Sequence, residues 1–100
     1  MPLEVVAAII FYKNKVIVTR RKLSDNPNFS LKYEFPGGKV EKKESKLNAL
    51  KRELKEELNI KVFDIKRFYS YPFQYSSLFI NLSFYTCKTS NIDLKIKVHE

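Results

Sequence analysis

A strand-rich mixed fold, α/β in the α+β sense and with one central helix, is predicted by three observations. Apolar and alternating runs suited to strands recur from Leu3 to Val98. A single stretch, Lys46 to Leu58, carries helical periodicity. The chain's only two glycines, Gly37 and Gly38, stand together ahead of that stretch. One hundred residues accommodate one domain, residues 1–100, with a usable core and little stability to spare.

Leu3 to Phe11 is apolar and β-branched and reads as a buried strand. Lys13-Asn14-Lys15 suits a tight turn, and Val16-Ile17-Val18 is the returning strand of a hairpin. Ser24 to Ser30 is a loop by composition. Tyr33-Glu34-Phe35 is a short strand stopped by Pro36-Gly37-Gly38. In the helix, Leu47, Leu50, Leu54 and Leu58 form one apolar stripe. Ser45 or Glu44 caps its start, and Asn59 ends it, because Asn tolerates the left-handed conformation best among non-glycine residues. Ile60 to Tyr69 reads as a strand, and Tyr71 to Ser77, with Pro72, as an aromatic, polar loop. Leu78 to Lys88 alternates, with Leu78, Ile80, Leu82 and Phe84 on one side and Phe79, Asn81, Ser83 and Tyr85 on the other. Ile92 to Val98 is a last strand with one wet face.

Composition narrows the function classes. The longest apolar run, Val5 to Tyr12, is too short to span a bilayer, and the start has no basic stretch leading into a long apolar one. Cys87 is alone, so no internal disulfide can form. No membrane role and a reducing, cytoplasmic location are expected. The net charge of +8 attracts polyanions: nucleic acid, an anionic membrane or a phosphorylated small molecule. Against that background, five of the eleven acids (Glu41, Glu44, Glu53, Glu56, Glu57) cluster between positions 41 and 57. They form either a solvated helix face, paired with Lys51 and Lys55, or a site for hard cations ringed by positive charge.

The helical wheel favours the second reading. Glu53, Glu56 and Glu57 share an arc of about 100° beside the apolar stripe. Glu53 and Glu57, one turn apart, repel each other, and a divalent ion such as Mg²⁺ or Mn²⁺ would offset that repulsion while sharing substrate phosphates. The Gly37-Gly38-Lys39 turn leads toward the helix and can bring backbone groups to metal or phosphate. Glu44 lies at the helix entrance, and Arg52 can orient a carboxylate by a bidentate contact.

These residues carry a resemblance. Gly38, then Glu44 after five residues, then Arg52-Glu53-Leu54-Lys55-Glu56-Glu57 after seven more, with Ile60 closing, resembles the Nudix box. Asn59 stands where the box has a glycine. Tyr33-Glu34-Phe35-Pro36-Gly37-Gly38-Lys39-Val40-Glu41 and Thr19-Arg20-Arg21 are similar to segments of MutT-type members. The resemblance implies a Nudix-type mixed sheet with a catalytic helix, and metal-assisted hydrolysis of a nucleoside diphosphate linkage. It implies Glu56 and Glu57 as metal ligands, Glu53 as ligand or base, the Gly37 carbonyl in the metal shell, and Glu44 and Arg52 as support. By the same resemblance Arg21 is a candidate for a substrate phosphate, Phe35 for the base, Gly38 and Lys39 for the substrate, and Glu100 for a further metal ligand. Read from the residues alone, Arg21 is equally a surface charge, Phe35 a core residue, and Tyr71, Phe73 and Tyr75 either a stacking surface or a strand-end cluster.

MutT-type members continue into a tryptophan-containing segment, an asparagine that reads the purine, and a C-terminal helix. This sequence has no Trp and stops at His99-Glu100. The expectation is a truncated α/β/α sandwich lacking the C-terminal helix, with an uncovered sheet face that favours a homodimer. The function expected by resemblance is hydrolysis of a nucleoside triphosphate, 8-oxo-dGTP first and CTP-type nucleotides next, to monophosphate and pyrophosphate. The alternatives are a nucleotide-binding module without turnover and a basic nucleic-acid-binding domain. No motif for specific nucleic-acid recognition accompanies the charge.

Overall fold

The computed structural model describes residues 3–20, 33–75, 77–92 and 98–99. The β-branched start of the chain forms a long central strand, β1 (Leu3–Tyr12). A two-residue turn at Lys13 and Asn14 returns it to β2 (Lys15–Ile17), with Tyr12 opposite Lys15. Lys13 takes the positive φ of 55° that the tight reversal demands. Two short strands, β3 (Thr19–Arg20) and β4 (Tyr33–Glu34), pair with each other, and β5 (Gly37–Lys39) pairs antiparallel with β1.

The helix α1 (Lys46–Leu58) has the predicted bounds. Ser45 is its N-cap, accepting from the Asn48 N–H at 3.0 Å. Asn59 ends it at φ 53°, ψ 42°, with its N–H donating to the Lys55 carbonyl. The long strands β6 (Phe63–Tyr75) and β7 (Leu78–Lys88) follow, and β8 (Val98–His99) pairs with β2. Strand order in the main sheet is β6-β7-β1-β2-β8, with β5 also beside β1. Only the β1–β7 pairing is parallel among these, so the sheet is mixed, as the α+β reading requires.

The core lies between α1 and one sheet face. Val6, Ala8, Ile10, Ile17 and Cys87 of the sheet meet Ala49, Leu50, Leu54, Leu58 and Ile60. Leu47 departs from the expected stripe: it is exposed, and burial begins at Ala49. Helical spacing sets the direction of a side chain but not where along its length the helix meets the sheet. On β7 the α1 side carries Ser83 and Cys87, both essentially buried, with Tyr85 between them packed against the core. Small side chains at Ala8 and Ala49, both fully buried, lie where helix and sheet meet.

The region after the helix needs correction. The strand starts at Phe63, not Ile60, and continues through the segment expected as a loop. Pro72 is paired with Asn81 inside β6. The composition that argued for a loop is accommodated because β6 is an edge strand, where a missing N–H costs no ladder bond. Val18 falls outside β2. Of the last predicted strand, residues 93–97 lie outside the described residues. Among the described residues no helix is long and apolar enough to cross a membrane.

Two measurements check this account. Leu54→Ala is expected to lose about 2–5 kcal/mol of stability in urea denaturation, because a fully buried side chain is deleted. Asn59→Ala should lose about 1 kcal/mol through the left-handed backbone, whereas Asn59→Gly should match or exceed the parent chain.

Candidate active site

Two glycines, one loop and one helix flank build the site. Gly37 lies against β1 so closely that a Cβ there would meet the Val6 carbonyl oxygen, with the Ala7 Cα at 2.7 Å. At Gly38 a Cβ would fall on the Glu53 carboxylate instead, whose farther oxygen is at 2.9 Å. The space left by the missing side chain is therefore where Glu53 of α1 rests. One turn on, Glu57 accepts from the Gly37 N–H at 3.2 Å.

Between β5 and α1 the chain closes on itself. The Val40 N–H donates to the Glu4 carbonyl, the Glu44 N–H to the Glu41 carbonyl, and the Glu41 N–H to Glu44 Oε1. Lys43 adopts a φ of 64° to make the turn. Arg52, projecting from α1, holds this loop. Its Nε donates to Glu44 Oε2 at 2.7 Å, and its Nη2 to Glu44 Oε1 at 3.1 Å and the Lys39 carbonyl at 3.0 Å. Nη1 reaches Glu56 Oε1 at 3.2 Å and Glu53 Oε2 at 3.4 Å, and Glu41 Oε1 lies 3.4 Å from Nε.

The electrostatics follow from this bidentate pair. The hydrogen bond from Arg52 holds the Glu44 carboxyl below the usual carboxylate range, helped by the Glu41 N–H. The same contact makes Arg52 hold its proton more firmly. Burial pushes the Cys87 thiol up to about 11, which fits the core role expected of it.

Glu44, Arg52, Glu53, Glu56, Glu57, Gly37 and Gly38 are thus brought together. The three helix carboxylates do not converge on one point: Glu53 and Glu56 turn toward Arg52, and Glu57 toward Gly37. Among the described residues no three acidic, histidine or cysteine groups stand around a common centre. Lys39 enters through its backbone carbonyl, while its side chain is exposed. Phe35 is half-exposed and meets Phe84 edge-on at 6.1 Å, on the sheet face opposite α1. Arg21 and Glu100 lie outside the described residues. The part of Glu41 as a further acceptor for Arg52, and the link from Glu4 to Asn81 (2.9 Å) and Lys46 (3.6 Å), escaped the sequence analysis. Glu41 lay in the acidic cluster, which was a signal; the Glu4 link joins residues far apart in the chain and left none.

The family model described as the NUDIX domain matches residues 1–94. The chain belongs to the Nudix family. Its Nudix relatives include an 8-oxo-dGTP diphosphatase of Buchnera aphidicola subsp. Acyrthosiphon pisum, 43% identical over 76 residues, which is 76% of this chain and 57% of that one. The CTP pyrophosphohydrolase of Escherichia coli K12 is 49% identical over 59 residues, covering 58% of this chain and 42% of its own. The solution structure of the E. coli ORF135 protein superposes with a TM-score of 0.73 at 31% identity, over 98% of this chain and 67% of that one. This Nudix chain spans under two thirds of the length of the curated relatives named here.

The two adjacent glycines of this Nudix chain should respond differently to Ala. Gly37→Ala drives a Cβ into backbone and is expected to lose about 1–3 kcal/mol in urea. Gly38→Ala meets only the end of a flexible side chain, and should keep its stability within about 1 kcal/mol while displacing Glu53. Glu44 also gives a pH signature. Its lowered pKa means its contribution is complete above the ordinary value of 4.5 and is lost as pH falls through the folded-state value below that. The melting temperature of Glu44→Gln should therefore lie below that of the parent chain at neutral pH and converge with it under acid conditions.

Proposed function

We propose that this Nudix chain hydrolyses a nucleoside triphosphate to the monophosphate and pyrophosphate in the cytoplasm, with a divalent ion, Mg²⁺ or Mn²⁺. The observation that carries this reading is the placement of Glu53 and Glu57 against the backbone of Gly37 and Gly38 by an Arg52-held loop. Hard carboxylate oxygens from one helix flank, beside the backbone of the short strand β5, suit a hard ion such as Mg²⁺ or Mn²⁺ better than a softer metal. Glu53, Glu56 and Glu57, with the Gly37 carbonyl and Glu100, would hold it. Bound there, the ion neutralises diphosphate charge and lowers the pKa of attacking water.

The chain's own residues do the remaining work. Glu53, oriented by Arg52 Nη1 and by the space at Gly38, accepts the proton of the attacking water or holds that water in line. Glu44 and Arg52 keep the turn and helix in register, so that Gly38, Lys39 and Arg21 meet the phosphates. Phe35 offers an exposed ring on the face where a base would lie. An 8-oxo-dGTP-like purine nucleotide is the first substrate and a CTP-type nucleotide the second, as the names of the two relatives suggest.

Pyrophosphate release from a nucleotide panel with Mg²⁺ tests this. The parent chain should turn over at least one nucleotide, and Glu53→Gln and Glu57→Gln should each lower kcat about 10²–10⁴-fold without loss of melting temperature. Metal-dependent nucleotide binding with no release from the parent chain would instead identify a binding module.

A further inference from the structure

Among the described residues no element packs on the sheet face opposite α1, yet that face is built like an interior surface. The central strand β1 is apolar on both sides. Val6, Ala8 and Ile10 point to α1, and the residues that alternate with them, Val5 to Phe11, point the other way. Its neighbour β7 runs parallel to it, and strands paired in parallel are as a rule covered on both faces. Register carries the second face outward: Val5 stands beside Leu82, Ala7 beside Phe84, and Phe84 beside Tyr69 of β6. Side chains that a second layer would bury stay open, with Phe11 at 39% and Tyr69 at 57%. Phe35 meets Phe84 at the margin.

The charges on this face lie at its margins. Lys66 and Lys88 share Asp64 at the end near Phe11, and Lys39 is on the β5 side, opposite Val5. The pair at the other end, Leu3 beside Ile80, is apolar. From Leu3 to Phe11 the face is about 30 Å long at about 3.3 Å per residue, and three strands spaced about 4.8 Å apart make it about 14 Å wide. Two such faces in contact cover roughly 850 Å² together as flat areas. The relief of the rings brings this to the small end of specific interfaces, at roughly 1,000–1,200 Å².

We infer that a second copy of this chain covers this face, as a two-fold dimer of modest affinity. The axis runs across the strands, so that β1 of one copy lies antiparallel to β1 of the other, with the two sheets about 10 Å apart. The end of each copy that carries Lys66 and Lys88 then meets the apolar Leu3–Ile80 end of the other. That arrangement keeps those lysines apart in a chain of charge +8, whereas an axis along the strands would set them against each other. The contact covers Phe35, so it and a base stacked on that ring exclude each other. The association itself does not depend on how the carboxylate site acts.

Sedimentation equilibrium of the whole chain, without metal or nucleotide, tests this. Between about 1 μM and about 1 mM the average mass should rise reversibly from one copy to two. It should rise no further, because a two-fold contact closes on itself. Added salt should hold or tighten the dimer, since it screens the repulsion between two basic copies and leaves apolar burial intact. Tyr69→Lys and Phe11→Lys, both at exposed positions, should keep the melting temperature and weaken association at least about 10-fold each. Phe79→Lys places the same charge at a ring that is 59% exposed but on the α1 side of the sheet, in line with Ser83, and should leave association unchanged. A single copy at every concentration would overturn the inference, including a single copy that takes up an apolar dye instead. So would growth past two copies, a dimer that salt dissolves, or Phe79→Lys costing as much as Tyr69→Lys.

Discussion

The contact between Arg52 and Glu44 is the one on which the rest of the site depends. A guanidinium has five donors in a fixed plane, and here they are divided among the Glu44 carboxylate, the Lys39 carbonyl and the acids of the helix. One side chain thereby ties the end of β5, the turn that follows it and the flank of α1. A lysine could supply the charge, but its donors all sit on one nitrogen and cannot grip Glu44 with two separate nitrogens while reaching the other acceptors. The positive φ of Lys43 and the return of Glu44 onto the Glu41 N–H persist because this clamp over-determines the turn. Four carboxylates around one cation also explain how so many like charges coexist over a short stretch of a basic chain.

The glycine pair divides two tasks that are easily confused. Gly37 is needed for packing, since β1 backbone occupies the place where its side chain would be. Gly38 makes room instead for a side chain from the helix, since the place of its missing Cβ is taken by the Glu53 carboxylate. Strand, turn and helix are thus positioned relative to one another by absences as much as by contacts. The small residues Ala8 and Ala49 do the same between helix and sheet.

Much of this was legible in the sequence where the information is local. The bounds of α1, its Ser45 cap and its Asn59 terminus follow from spacing and from the backbone habits of single residues. The carboxylate flank follows from the helical period alone. What was not legible depends on neighbours supplied by the fold. Pro72 reads as a strand breaker until β6 is known to be an edge. Leu47 belongs to the stripe by angle, yet the helix has not reached the sheet at that point. The alternation of β7 is plain, but which face meets α1 is decided by its register with β1, where Val6, Ala8 and Ile10 stand beside Ser83, Tyr85 and Cys87. That Arg52 would take the Lys39 carbonyl as a third acceptor could not be read from types and spacings, since a backbone oxygen has no signature in a sequence.

The proline in β6 has a consequence for how copies of the chain meet. A long outer strand is a template on which another chain can continue the sheet, and small proteins with thin cores visit partly open states often. Pro72 removes one donor from that template, and the two register shifts twist the strand away from flatness. Growth of the sheet by addition of further strands is thereby discouraged at the edge where exposed aromatic groups would otherwise make it most favourable. Crowded solutions of the protein can keep these rings in water without the rings becoming seeds for aggregation.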